Sequence, residues 1–227
     1  MTDLLRHGEI DIKGRLPWSS NGTFLVDLCL GGEQGQAVYK PLRGERPLWD
    51  YPPGLYHREI AVYLVSEALG WGLVPETVER DGPYGPGSLQ RFVPAHFEDH
   101  YFTLLERPEF HDPLRAVCLL DLVVNNGDRK SGHCLHGEDG RVWAIDHGLC
   151  LAEDPKLRTV IWDFAGQPLP EDRLADVARL AVSPPPELAA LLLPVEIEAL
   201  AARAAALSRR PTFPVIRSAR AYPWPLV

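Results

Sequence analysis

The chain has 227 residues, a formal net charge of −8 and an apolar fraction of 45%. That length fits one large domain or two small lobes with a proper core. The acidic balance leaves no electrostatic footprint for nucleic acid and argues against stable docking on anionic membranes. No apolar run reaches the length of a membrane-spanning helix, and the opening "MTDLLRHGEIDIKG" lacks the basic and apolar regions of a signal peptide. A cytoplasmic location is expected. Cys29, Cys118, Cys134 and Cys150 show no CxxC spacing and read as reduced thiols, not as a zinc site.

Taken in chain order, residues 8–12 and 23–30 are rich in strand formers, and "QAVYKPL" (36–42) follows the turn "GGEQG", which predicts a hairpin. Residues 54–72 carry a helical stripe at Ile60, Tyr63, Leu64, Ala68 and Leu69, stopped by Gly70 and Gly72. Two more strands, 74–80 and 87–93, flank "DGPYGPG". Residues 1–93 thus read as a small, mostly antiparallel sheet with one helix packed on it. The segment 91–99 is the crossing into a second half with a different character. There, 112–126 ("DPLRAVCLLDLVVNN") is an almost wholly apolar, buried helix. A polar loop (127–140), a strand (141–151) and helices over 171–181, 185–193 and 194–210 follow, and a Pro-rich tail (211–227) is expected to lie extended over the surface. The fold class expected is α+β in two lobes, 1–93 and 94–227, the first a β-sheet with one helix and the second mostly helical.

Several residues in this arrangement are suited to chemistry. Lys40 ends a short apolar strand, so alternation aims it at one face of the sheet. Alone it reads as a lysine snorkelling from a sheet edge; with Glu59 on the following helix it forms the strand-lysine and helix-glutamate pair that holds nucleotide phosphates in kinase folds. The loop containing Ser19, Ser20 and Asn21 is by default a hairpin turn and alternatively a phosphate cover. In "NGDRKSGH", Asp128 stands in a loop just after the buried helix, with Arg129 beside it. Eighteen residues later Asp146-His147-Gly148 ends the next strand. An Asp-x-Gly after an apolar strand can deliver a carboxylate to a metal bridging two phosphates, and an aspartate in the preceding loop can orient a hydroxyl and accept its proton. Either stretch alone is a bland turn; their order behind Lys40 and Glu59 points to nucleotide binding.

On these residues the chain resembles the phosphatidylinositol 3/4-kinase superfamily and its atypical-kinase relatives, including the HipA-type bacterial kinases. Over most of residues 8–170, and most closely in "VYKPLRGERPLWDYPPGLYHREIAVYLVSEALGWGLVPETVERDGPYGPGSLQ", it is similar to a group of actinobacterial proteins assigned to that superfamily. The resemblance implies an atypical protein-kinase-like fold and an ATP-dependent phosphotransferase using Mg²⁺ or Mn²⁺. Lys40 would meet the α/β-phosphates, oriented by Glu59, under the loop of Ser19, Ser20 and Asn21. Gln90, Arg91, Phe92 and Val93 would form the hinge that meets the adenine. Asp128 would be the catalytic aspartate, with Arg129 bracing the catalytic loop, and Asp146 the principal metal ligand. Where the superfamily has a second metal-binding residue, an asparagine, this chain has His133. That histidine either ligates metal or stands behind Asp128 and Asp146, and in both roles activity should follow its titration near neutrality. The acceptor expected is a hydroxyl of a soluble small molecule or a protein, with Lys156, Arg158 and Trp162 as candidate contacts. Alternatives are an adenylyltransferase on the same fold and a nucleotide-binding pseudokinase or scaffold. Oligomeric state is not legible.

Overall fold

The computed structural model describes residues 2–17, 19, 21–216 and 219–226. Strands β1 (Glu9–Arg15), β2 (Phe24–Leu30), β3 (Glu33–Pro41), β4 (Thr77–Gly82) and β5 (Gly85–Arg91) form one antiparallel sheet in the order β1-β2-β3-β5-β4. The β2–β3 turn is tighter than "GGEQG": Leu30 pairs with Glu33, and Gly31 and Gly32 take positive φ (57° and 92°), as a two-residue hairpin turn requires. Alternation on β3 is as expected. Ala37 and Tyr39 face a small core with Val26, Leu28, Val78 and Leu89, and Lys40 stands on the other face. That core is closed by a short helix, α1 (Thr2–His7), which buries Leu4 and Leu5 and is not evident in the sequence.

Helix α2 (Leu55–Leu69) ends where the glycines predict, with Gly70 at φ 72°. Although it lies between β3 and β4 in the chain, its Ala61, Val62, Val65 and Leu69 belong to the larger core with the second half. Arg58 anchors it further, its guanidinium paired with Glu196 and donating to the Cys150 carbonyl at 2.6 Å. The centre of that core is α4 (His111–Val124), buried from Ala116 to Val124 and capped by Asn125 at φ 54°. Around it lie α3 (Tyr101–Leu105), α5 (Glu171–Val182) and α6 (Pro194–Arg209). The architecture is therefore α+β, an antiparallel sheet lobe followed by a mostly helical part.

Three expectations change. The loop 127–140 contains a strand, β6 (Cys134–His136), paired antiparallel with β7 (Val142–Ala144). The strand expected over 141–151 is only those three residues, because Asp146 turns to φ 61°. Residues 186–190 form a 3₁₀ turn and not an α-helix, since prolines 184–186 lack the N–H groups a helix needs. The tail lies across the second half: Phe213 is buried, Trp162 Nε1 donates to the Ala221 carbonyl at 3.2 Å, and the Leu226 carbonyl accepts from the Ser131 amide at 2.9 Å.

Among the described residues, the largest fully buried side chain is that of Arg129. Its Nε and Nη2 bind the Asp121 carboxylate (2.9–3.1 Å), Nη1 donates to the His133 and Ile145 carbonyls (3.1 and 2.7 Å), and Nη2 also meets His147 Nε2 at 2.9 Å. Asp121→Ala should lower unfolding free energy by about 3–5 kcal/mol, because it strands a buried charge. Urea titration checks this; a loss under about 1 kcal/mol, the worth of a surface pair, would contradict it.

Candidate active site

The residues singled out by spacing converge between the sheet and the helical part. Lys40 Nζ donates to Glu59 Oε1 and to Asp146 Oδ1, the latter at 2.9 Å. Glu59 Oε2 accepts the His147 amide at 3.0 Å, so one helix carboxylate links the strand lysine to the Asp-His-Gly turn. Burial opposes the Lys40 charge, but Asp146 and Glu59 outweigh it and raise the ammonium above its ordinary value. Burial likewise opposes the Asp146 charge, and Lys40 and His133 hold that carboxyl well below the usual range. The left-handed backbone of Asp146 is uncommon for a residue other than glycine, and such backbone persists where surrounding structure determines it.

Asp128 lines the same cleft of about 290 Å³, with Ser19, Asn21, Lys40, Glu59 and Asp146. Its loop is held from both sides: the Asp128 amide donates to Asn126 Oδ1 at 2.9 Å, and the Gly127 amide to the Leu149 carbonyl at 2.7 Å. Burial pushes the Asp128 carboxyl up to about 6, against the pull of Lys130, whose Nζ lies 3.3 Å away.

His133 is packed against both aspartates. Its Nε2 lies 3.3 Å from Asp146 Oδ2; its Nδ1 accepts the Lys130 amide at 3.3 Å and lies 3.1 Å from the Asp128 carbonyl. An amide can only donate and a carboxylate can only accept, so Nε2 carries the hydrogen that faces Asp146. Burial pushes the ring down to about 4. The expected titration near neutrality is thus displaced: the imidazole is neutral through the physiological range.

Other candidates fall elsewhere. Arg129, grouped with Asp128 in the expected catalytic loop, is fully buried and is a brace, as the resemblance implies, out of reach of substrate. Ser20 lies outside the described residues. Ser19 Oγ is 2.7 Å from Thr23 Oγ1, and Asn21 Oδ1 accepts the Arg46 amide at 3.0 Å, so both side chains pin their loop. The hinge residues do not line the Lys40–Asp146 cleft. Gln90 is buried and donates to Thr77 Oγ1 at 2.8 Å, the Arg91 guanidinium stacks on Trp143, the Phe92 amide donates to the Gln36 carbonyl at 3.0 Å, and Val93 is buried. Of the proposed acceptor contacts, Lys156 is paired with Asp50 at 3.0 Å and Trp162 holds the tail; Arg158 is exposed.

Sequence reasoning missed Glu45 and Asp121. The Glu45 carboxylate accepts the Gly54 and Tyr56 amides, both at 2.9 Å, and so caps the helix that carries Glu59. A lone acid in the apolar run "VCLLDLVV" was the available signal for Asp121, since a buried charge requires a partner.

Residues 57–176 match the family model described as phosphatidylinositol 3- and 4-kinase. The chain belongs to that family. It is 40% identical to Protein Rv2133c of Mycobacterium tuberculosis (strain ATCC 25618 / H37Rv), over 98% of this chain and 94% of that protein. Its fold is similar to the crystal structure of the Helicobacter pylori proinflammatory kinase CtkA, with a TM-score of 0.53 and 13% identity over 91% of this chain and 93% of that one. For this member of the phosphatidylinositol 3- and 4-kinase family, the match spans Glu59, Asp128, His133 and Asp146 and begins after Lys40.

The raised Asp128 pKa has a consequence for stability. The protonated form suits the fold better than the carboxylate, so the ionised group destabilises as pH rises through about 6. Asp128→Asn should therefore melt at a higher temperature than the native chain at about pH 8, with the difference closing below about pH 4, where the unfolded aspartate also protonates. Calorimetric scans across pH check this; an asparagine variant that is less stable at the alkaline end would overturn it.

Proposed function

We propose that the chain is an ATP-dependent phosphotransferase that acts on a hydroxyl of a soluble small molecule or of a protein, in the cytoplasm, without nucleic acid or stable membrane attachment. The observation that carries the reading is Lys40 Nζ held jointly by Glu59 and Asp146, with Asp128 in the same cleft. These are the parts that phosphoryl transfer requires in place together. Among the described residues no helix is long and apolar enough to cross a membrane.

Lys40 binds the nucleotide phosphates and Glu59 keeps it aimed. Asp128 takes the proton of the acceptor hydroxyl as its oxygen attacks the γ-phosphorus and ADP departs; a carboxyl titrating near 6 is ionised at neutral pH and close enough to accept that proton. The donor set fits Mg²⁺ or Mn²⁺ brought in with the nucleotide. No group of three His, Cys, Asp or Glu among the described residues could enclose a metal, whereas Mg²⁺ is commonly held by one or two carboxylates, phosphates and water. Asp146 is the carboxylate that would hold it, and the ion would offset the negative charge of the phosphates. His133, whose Nε2 hydrogen faces Asp146, positions that carboxylate and does not ligate metal in this reading. The same histidine is the one observation favouring a nucleotide-binding pseudokinase. The product separates the readings: an added phosphate for a kinase, an added AMP for an adenylyltransferase, and no adduct for a pseudokinase.

ATP with Mg²⁺ should raise the melting temperature by mass action, and Lys40→Ala should remove most of that rise. Asp146→Asn should weaken metal-dependent binding, while Asp128→Asn should keep ATP affinity and lose turnover. A melting curve unmoved by saturating ATP and either metal would sink the proposal; equal loss of ATP affinity in both aspartate variants would sink the division of roles.

A further inference from the structure

The cleft is short of free positive charge. Among the described residues, its lining includes the carboxylates of Glu45, Glu59, Asp128 and Asp146 and only two cations, Lys40 and Arg46. Lys40 is already engaged by two of those carboxylates. Arg46 is exposed, and its guanidinium has no hydrogen-bond or ion-pair partner among the described residues.

The backbone that carries Arg46 is fixed from both sides. Its own amide donates to Asn21 Oδ1 at 3.0 Å. One residue earlier, Glu45 caps α2, the helix of Glu59. One residue before that, Gly44 accepts the Gly22 amide at 2.8 Å, in a contact so close that a Cβ on Gly22 would stand 2.9 Å from Gly44 Cα, and one on Gly44 2.6 Å from the Gly22 carbonyl oxygen. The start of the β3–α2 connection is thereby locked to the loop that covers the cleft and to the helix that aims Lys40. A long cation rooted on a rigid segment, at the edge of an acidic cleft, with no internal partner, is suited to an anionic ligand. Arginine suits phosphate in particular, through paired N–H donors.

We propose that Arg46 is a phosphate-binding residue that meets the terminal phosphate of the bound nucleoside triphosphate, complementing Lys40 in the same cleft. This rests on the phosphotransferase reading above. Lys40 then orients the phosphates nearer the sugar, and Arg46 distinguishes a triphosphate from shorter nucleotides.

The test is calorimetric titration of the full chain with ATP, ADP and AMP in the presence of Mg²⁺, for the wild type, Arg46→Ala and Arg46→Lys, beside melting curves without ligand. Arg46→Ala should weaken ATP binding about tenfold or more, as expected for losing charge-assisted hydrogen bonds, and leave AMP binding unchanged. Arg46→Lys should recover part of the loss. The ligand-free melting temperature should not move in either variant, because the side chain has no internal partner to lose. Wild-type ATP affinity in Arg46→Ala overturns the inference and leaves the phosphotransferase reading standing. An equal loss for all three nucleotides also overturns it, since Arg46 would then shape the loop without selecting the terminal phosphate. A wild-type chain that binds none of the three nucleotides sinks the phosphotransferase reading, and this inference with it.

Discussion

A single guanidinium, that of Arg129, holds together the parts on which the site depends. A buried charge is tolerated only when its hydrogen-bonding capacity is filled, and every N–H of this side chain has an acceptor: the Asp121 carboxylate, the carbonyls of His133 and Ile145, and the His147 ring. Those acceptors come from the central helix, the loop that follows Asp128, the residue after β7 and the turn after Asp146. Each is thereby placed relative to the others to within a hydrogen-bond length. The carboxylates at 128 and 146 are neighbours of these anchored groups, so their mutual position is set by a buried polar network and not by loop packing alone. His147 shows the same logic at smaller scale. Its burial keeps the ring well below its ordinary pKa, so it accepts from Arg129 as a neutral base and adds no second positive charge.

The site was more legible in the sequence than its surroundings. Lys40, Glu59, Asp128 and Asp146 were readable because each combines a reactive side chain with a position forced by local structure, whether strand alternation, helix phase, a post-helix loop or an Asp-x-Gly turn. Their supports were not. Glu45 acts through two backbone amides that no periodicity marks, and α1 is too short to carry a periodic signal. The strand β6 was lost in a loop because its three residues, Cys134–His136, sit behind "KSGH" and have no room for alternation. The histidine titration was misjudged for a related reason. Burial of His133 comes from the chain folding over it, and a local stretch of sequence does not encode that.

The lobes are less separate than chain order implies. The sheet has its own small core, closed by α1, yet the helix between β3 and β4 contributes its apolar face to the larger core. The loop after Asp128 is also bound to the C-terminal tail, through the Ser131 amide and the Leu226 carbonyl. Residues between Ser19 and Glu59 and between Asp128 and Leu149 thus line one cleft, and the contacts that set it are long-range.

The packing of α2 bears on how such a molecule can be controlled. In many protein kinases, activity is switched by moving the helix that bears the glutamate partner of the lysine. Here the equivalent movement would withdraw Val62, Val65 and Leu69 from the main core, at about 1.5–3 kcal/mol for each fully buried aliphatic side chain. It would also break the buried Arg58–Glu196 pair, leaving two unsatisfied charges. Those terms together approach the whole stability of a typical domain. Outward movement of α2 is therefore costly in this chain, because it opens the main core and the Arg58–Glu196 pair together.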